Sequence, residues 1–198
     1  MARLCQEMSK CRKCPLGQRR NKIVPGEGNP GAKIIFIGEA PGFNEDCQGI
    51  PFCGNAGQFL DQLLASIDLK REDVFIANTL KCRPPENRDP EPLEKKACQP
   101  YLDQQIEIIE PKLIITLGKH ATETILPGAG GISKLRAKLF RRPGKRYVFP
   151  LYHPAAALHN GSLRDTLIQD FKKIPDVLKK IEAETETALK EQQNQTLF

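Results

Sequence analysis

The stretch Lys33–Asp46, KIIFIGEAPGFNED, decides the reading of the fold. Ile34, Ile35, Phe36 and Ile37 form an unbroken apolar run, the pattern of a short strand buried on both faces. Gly38-Glu39-Ala40-Pro41-Gly42 then forces a sharp loop and leaves an acidic side chain at the strand's end. Three more segments repeat the apolar pattern: Asp73–Leu80, Lys112–Gly118 and Tyr147–Tyr152. Helical patterns separate them. One starts at Ala56 with Phe59, Leu60, Leu63, Leu64 and Ile67 on one side, another covers Pro92–Ile109, and a third runs from His120 to Leu126. Strands alternating with helices predict a mainly parallel sheet with helices on both faces. Three of the runs end at or near an unusual polar residue, Glu39, Asn78 or His153, and in such sheets the carboxyl ends of the strands meet at one ligand crevice.

The remaining segments are less regular. Asn21–Ala32, rich in Gly, Pro and Asn, reads as a connecting loop. Pro100 is expected to kink or restart its helix, which would put Cys98 at a helix break. Ser162-x-x-Asp165 has the form of a capping box, and Pro175 interrupts the helix that follows. His120 reads as a surface or capping residue, and the basic stretch after Ser133 as a hairpin edge. The expected organisation is one domain over residues 1–181 and a polar tail over 182–198.

Thirty Lys and Arg against 24 Asp and Glu give a net charge of +6, unevenly spread. Arg12, Lys13, Arg19, Arg20 and Lys22 form one basic cluster; Lys134, Arg136, Lys138, Arg141, Arg142, Lys145 and Arg146 form a second. Such patches suit a polyanion, nucleic acid above all. With no tryptophan in the chain, base stacking falls to Phe, Tyr or Arg. No apolar run is long enough to span a membrane and the N-terminus lacks a signal-peptide core, so a cytoplasmic location is expected.

In a reducing compartment seven cysteines point to metal or cluster ligation rather than disulfides. Cys11-x-x-Cys14 is half a site, and Cys82 and Cys98, at the ends of KCRPPENRDPEPLEKKAC, are the best candidates for the other half. Four thiolates there suit either tetrahedral zinc or an iron–sulfur cluster. Cys5, Cys47 and Cys53 read as small buried apolar residues. Phe52 is either a core residue pinning its loop or a platform for a flat ring, and the Asn78 amide, donor and acceptor at once, suits the edge of a pyrimidine.

Several motifs together resemble the family 4 uracil-DNA glycosylases, the iron–sulfur type. They are Cys11-x-x-Cys14-Pro-Leu, Gly38-Glu39-Ala40-Pro41-Gly42-x-x-Glu45-Asp46, Pro51-Phe52-x-Gly54-x-Ala56-Gly57, Asn78-x-x-Lys81-Cys82-Arg83-Pro84-Pro85-x-Asn87-Arg88, Cys98-x-Pro100-Tyr101-Leu102 and His153-Pro154-Ala155. The resemblance covers about Cys11 to Phe171. It implies a three-layer α/β/α sandwich with a central four-stranded, mainly parallel sheet. It also implies a [4Fe–4S] cluster on Cys11, Cys14, Cys82 and Cys98, with zinc in the same site as the alternative. The implied substrate is uracil in single- or double-stranded DNA, acted on by a monomer that leaves an abasic site.

By the same resemblance, Phe52 stacks on a flipped uracil, Asn78 pairs with its edge, and Gly38 and Ala40 help to form the pocket. Glu45 crowds the C5 position and so excludes thymine. His153 stabilises the departing base, while Glu39 or Asn87 handles the attacking water. Arg83, Arg88, Lys134, Arg136, Arg141 and Arg142 are expected to meet phosphates. The loop 128–136 lacks a histidine that could trap the sugar, which implies turnover. Phe43 and Asn44 fill two variable positions and carry no assignment. The competing readings are a non-catalytic iron–sulfur nucleic-acid-binding module, a broader-specificity family 5-type glycosylase, whose first motif lacks the Glu39 carboxylate, and a cysteine-ligated electron carrier.

Overall fold

The computed structural model describes residues 1–142, 146–158 and 160–195, with side chains described as far as residue 187. Lys145 of the second basic cluster lies outside the described residues. The chain opens with helices α1 (Ala2–Ser9) and α2 (Leu16–Arg19), then strands β1 (Glu27–Gly28) and β2 (Ile34–Gly38). After α3 (Phe43–Gln48) and α4 (Asn55–Ala65) come β3 (Phe75–Asn78), α5 (Pro92–Ile109), β4 (Leu113–Leu117) and α6 (Lys119–Ile125). The last third holds α7 (Ile132–Leu135), β5 (Phe140–Arg142), β6 (Arg146–Leu151), α8 (Pro154–Leu158), α9 (Gly161–Phe171) and α10 (Ile174–Gln195).

The sheet corrects the expected architecture. Among the described residues it has six strands in the order β1-β3-β2-β4-β6-β5 and is mixed, not four-stranded and mainly parallel. β3, β2, β4 and β6 run parallel, and the short β1 and β5 add antiparallel edges. These edges hold only two and three residues, Glu-Gly and Phe-Arg-Arg, too few for an apolar alternation to announce them. All residues of β2, β3 and β4 are buried, as continuous apolar runs require when both faces are covered.

Alternate residues of the strands feed two cores. Phe36, Ile76, Ile115 and Phe149 pack with residues of α4, α9 and α10 on one face. Ile35, Ile37, Ala77, Ile114 and Val148 pack with Leu102, Ile106, Ala121 and Ile125 of α5 and α6 on the other. Helix α5 runs through Pro100 without interruption, so Cys98 sits inside a helix rather than at a break. The loss of one backbone donor there is offset by the burial of Cys98, Tyr101, Leu102, Gln105 and Ile106 along the same helix. Pro175 instead stands in the first turn of α10, where its missing N–H costs no helical bond. Helix α10 crosses the division expected after Ile181. Just beyond it Glu182 accepts from Lys33 and Lys112 at 2.7 and 3.0 Å.

Candidate active site

The ends of the four parallel strands build the site. Gly38 and Asn78, the last residues of β2 and β3, are register partners in the parallel ladder. A Cβ on Gly38 would lie 2.4 Å from Asn78 Oδ1 and 2.6 Å from Phe52 Cζ, so only glycine leaves room for both side chains here. Gly118, at the end of β4, has φ +89°, and a Cβ there would press on the His153 side chain at 3.0 Å. Close approach at these two glycines brings the His153 loop and the Phe52 loop over the strand ends.

Ala40, Gly42, Glu45, Phe52, Ala56, Asn78, His153 and Ala155 line one cavity of about 180 Å³. The expected uracil-binding set therefore meets there, with Gly38 as floor rather than lining. Asn78 is buried, and among the described residues its amide makes no internal hydrogen bond, so donor and acceptor both remain free for a ligand. The Glu45 carboxylate accepts from the backbone N–H groups of Gly42, Cys53 and Gly54 at 3.1–3.2 Å, which fixes it as a wall. Phe52 and His153 lie as offset rings with centroids 5.5 Å apart and planes 24° apart. Burial pushes the His153 pKa down to about 4, with Glu45 pulling the other way, so the ring is neutral at pH 7. Its Nδ1 accepts from the Ala155 N–H at 3.1 Å, which assigns the proton to Nε2.

Glu39 and Asn87 line a second cavity of about 310 Å³ with Pro41, Pro84 and Arg88. Ala40, Gly42, His153 and Ala155 belong to both cavities, so the two adjoin. The Glu39 carbonyl accepts from the Thr79 hydroxyl and the Leu80 N–H, at 2.6 and 3.0 Å, which fastens its loop to the chain leaving β3. Burial lifts the Glu39 carboxyl above its ordinary range; His120 opposes the lift and Asp89 adds to it. A larger open hollow of about 680 Å³, between Glu27–Asn29 and Lys70–Glu72, lies beside β1, and its ionic side chains pair with one another.

Two residues at the site escaped the sequence reading. His120 is half-buried: its Nε2 lies 3.9 Å from Glu39 Oε2 and 3.5 Å from Asp89 Oδ2, and its Nδ1 is buried without a partner among the described residues. Its only signal was its place after Gly118, at the carboxyl end of β4. Arg71 clamps the Phe52 loop. Its guanidinium donates to the Pro51 and Phe52 carbonyls, to Asp61 at 3.0 Å and to Glu27 at 3.3 Å. Phe52 itself has φ +51°, a left-handed conformation costly for this side chain, and the clamp holds it.

The expected phosphate contacts divide. Arg141 is exposed on β5, and Lys134 stands beside an open hollow with Arg136 and Lys138. Arg142 is half-buried and pairs in register with Arg146. Arg136 is bound to buried Asp170 and lies over the Tyr152 ring. Arg88 makes a two-pronged pair with buried Glu94, at 2.6 and 2.9 Å, and Arg83 donates to Asn87 Oδ1 at 2.8 Å.

Of the four expected ligand cysteines, Cys14, Cys82 and Cys98 are buried in one cluster with Leu16 and Leu80, and half-buried Cys11 packs beside Leu4, Met8 and Tyr101. Arg20 Nη1 donates to Cys82 Sγ at 3.3 Å, and the Lys81 N–H to the Cys98 sulfur, contacts that favour thiolates against burial, which raises both thiols. Among the described residues, Glu39, Asp89 and His120 form the one group of possible ligands within 4.8 Å of one another, so no three of these sulfurs are that close. Three buried thiols in one cluster and a fourth half-buried are a soft donor set that suits zinc or iron–sulfur ligation.

The uracil-DNA glycosylase superfamily model matches residues 25–178. A type-4 uracil-DNA glycosylase of Sulfurisphaera tokodaii is 51% identical over 185 residues, covering 89% of this chain and 84% of its own. The type-4 enzymes of Saccharolobus solfataricus and Archaeoglobus fulgidus are 50% and 46% identical, with 88% of this chain covered in each case. The chain belongs to the type-4 uracil-DNA glycosylases. Membership classes it with the DNA-binding hydrolases of base excision repair. Among the described residues, no helix is long and apolar enough to cross a membrane.

Proposed function

We propose that this type-4 family member removes uracil from DNA by hydrolysing the N-glycosidic bond and releases an abasic strand. The observation that carries the proposal is the convergence of Phe52, Asn78, Glu45 and His153 on one cavity at the strand ends. A base inside a duplex stack is unreachable, so the nucleotide has to turn out into this cavity. Phe52 covers the face of the base and Asn78 pairs with its edge. The fixed carboxylate of Glu45 occupies the space that a C5 methyl group would need. The neutral His153 donates its Nε2 proton in a hydrogen bond toward O2, where negative charge grows as the bond to the sugar breaks.

The sugar becomes cationic as the base departs and requires a water. Glu39 and Asn87 face the adjoining cavity, which shares His153 with the base pocket. Glu39 positions that water and its carboxylate offsets the developing positive charge, with Asn87 as a second hydrogen-bonding group. Lys134, Arg141 and Arg142 supply phosphate contacts on one side, and Arg83 and Arg88 on the other, so binding weakens steeply with salt.

Cys11, Cys14, Cys82 and Cys98 hold a [4Fe–4S] cluster in this reading, supported by the burial of Cys14, Cys82 and Cys98 in one cluster and by the Arg20 contact. Such a cluster, when bound, supplies four covalent ties that join the N-terminal segment, the loop after β3 and helix α5. The test of the function is alkaline cleavage of a uracil-containing oligonucleotide after incubation with purified protein. Strand scission at the uracil is expected. Its absence favours a binding module without chemistry, and release of hypoxanthine or mismatched thymine favours the broader type.

A further inference from the structure

Phe43 belongs to no core. It is 59% exposed, while among the described residues the other large exposed apolar side chains, Ile50, Leu93, Ile108 and Leu158, are all aliphatic. Leaving a phenyl ring in water forgoes the favourable burial that aromatic side chains ordinarily provide. One neighbour organises it: the Arg83 guanidinium carbon lies 5.2 Å from the ring centroid, within cation–π range. Arg83 is in turn pinned by the bond from its Nε to Asn87 Oδ1 at 2.8 Å. A flat apolar surface and a fixed cation are thus held together at an exposed position.

The position is continuous with the active site. Phe43 directly follows Gly42, which lines both the base cavity and the Glu39 cavity, and Asn87, which holds Arg83, lines the second. Phe43 also opens α3, the helix that carries Glu45. A strand with one nucleotide in the base cavity can lay its neighbour across this rim. That neighbour offers a flat π-face and an adjacent phosphate, the two features that a ring with an arginine beside it matches.

We propose that Phe43 and Arg83 form a stacking platform for the nucleobase next to the excised uracil in an unpaired strand. This rests on the glycosylase reading of the cavity, and adds a second base-binding position outside it. The platform reads no base edge, since every base presents a π-face, so it adds affinity without sequence preference.

The experiment uses the full-length, cluster-loaded protein and single-stranded oligonucleotides with a 2′-fluorinated deoxyuridine that resists cleavage. Fluorescent 2-aminopurine is placed on either its 5′ or its 3′ side. Binding to wild type is expected to quench the fluorophore at one of the two positions. Phe43→Ala and Phe43→Leu should lose that quenching and bind about 5- to 150-fold more weakly, the factor for one base–aromatic stack. Phe43→Trp should keep both, which separates flatness from mere apolarity. Inhibition by free uracil should be equal in all four proteins, because the base cavity is untouched.

Absence of quenching at both positions in wild type, or undiminished binding by Phe43→Ala, would overturn the platform. Failure of the glycosylase reading shows separately, as intact oligonucleotide in the cleavage assay with ordinary deoxyuridine.

Discussion

Replacing His153 by alanine separates catalysis from binding, because the ring takes part in both to different extents. Its Nδ1 is committed to the Ala155 N–H, so Nε2 is the group that can donate to the departing base. Removing one preorganised donor from a developing oxyanion costs roughly 10²–10³ in rate, about 2.7–4 kcal/mol. The same substitution deletes the offset stack that steadies Phe52 in the free protein, worth about 0.5–1.5 kcal/mol, and re-ordering that ring on binding costs at most as much, roughly two- to twelvefold in affinity. Single-turnover excision from a uracil oligonucleotide should therefore fall by two to three orders of magnitude. Anisotropy with the uncleavable 2′-fluoro strand should show at most about a tenfold weaker complex.

The pH dependence follows from the same ring. Its folded-state pKa, about 4, is below the free value of 6.5, so protons favour the unfolded chain between those limits. The stabilisation is fully present above 6.5 and is lost as pH falls toward 4. In His153→Gln the melting temperature should lose part of that acid sensitivity. Equal losses of excision and binding in His153→Ala would refute the donor role.

Gly38→Ala places a methyl group 2.4 Å from Asn78 Oδ1 and 2.6 Å from Phe52 Cζ; overpacking of this kind costs about 1–3 kcal/mol, and binding of free uracil, read by calorimetry, should vanish together with excision. A variant that still binds uracil as wild type does would show that neither side chain grips the base. Arg88→Ala strands the buried Glu94 carboxylate and should lower the melting temperature at neutral pH. Arg88 holds the Glu94 pKa below its ordinary 4.5, so the difference between the two proteins should shrink as pH drops below that value. Cys82→Ser should bleach the visible absorption of the cluster-loaded protein and reduce its stability; an unchanged spectrum would remove Cys82 from the ligand set.

The parts of the fold legible in the sequence were those in which burial leaves a linear trace. Strands β2, β3, β4 and β6 are covered on both sides and show as apolar runs, and the polar residues at three of their ends mark the site. The edges differ: β5 lies in the basic stretch expected as a hairpin edge and pairs antiparallel with β6, whereas the two-residue β1, Glu27–Gly28, holds no apolar residue and falls in a stretch that reads as loop. His120 and Arg71 went unseen for another reason. Each acts on residues far away in the chain, Glu39 in one case and the Phe52 loop in the other, and neither sits in a local pattern that hints at this. The helical course of α5 through Pro100 is likewise a tertiary outcome, in which packing along one side outweighs a poor local choice.

The shared rung of Gly38 and Asn78 ties discrimination between bases to the bookkeeping of the sheet itself. A slip of one residue in either strand would turn the amide to the opposite face and swap the two cores' side chains at once. In the glycosylase reading, changing which base is accepted is therefore cheap only above the ladder, at Glu45 on α3 or Phe52 on its loop, whereas the ladder beneath must be inherited whole.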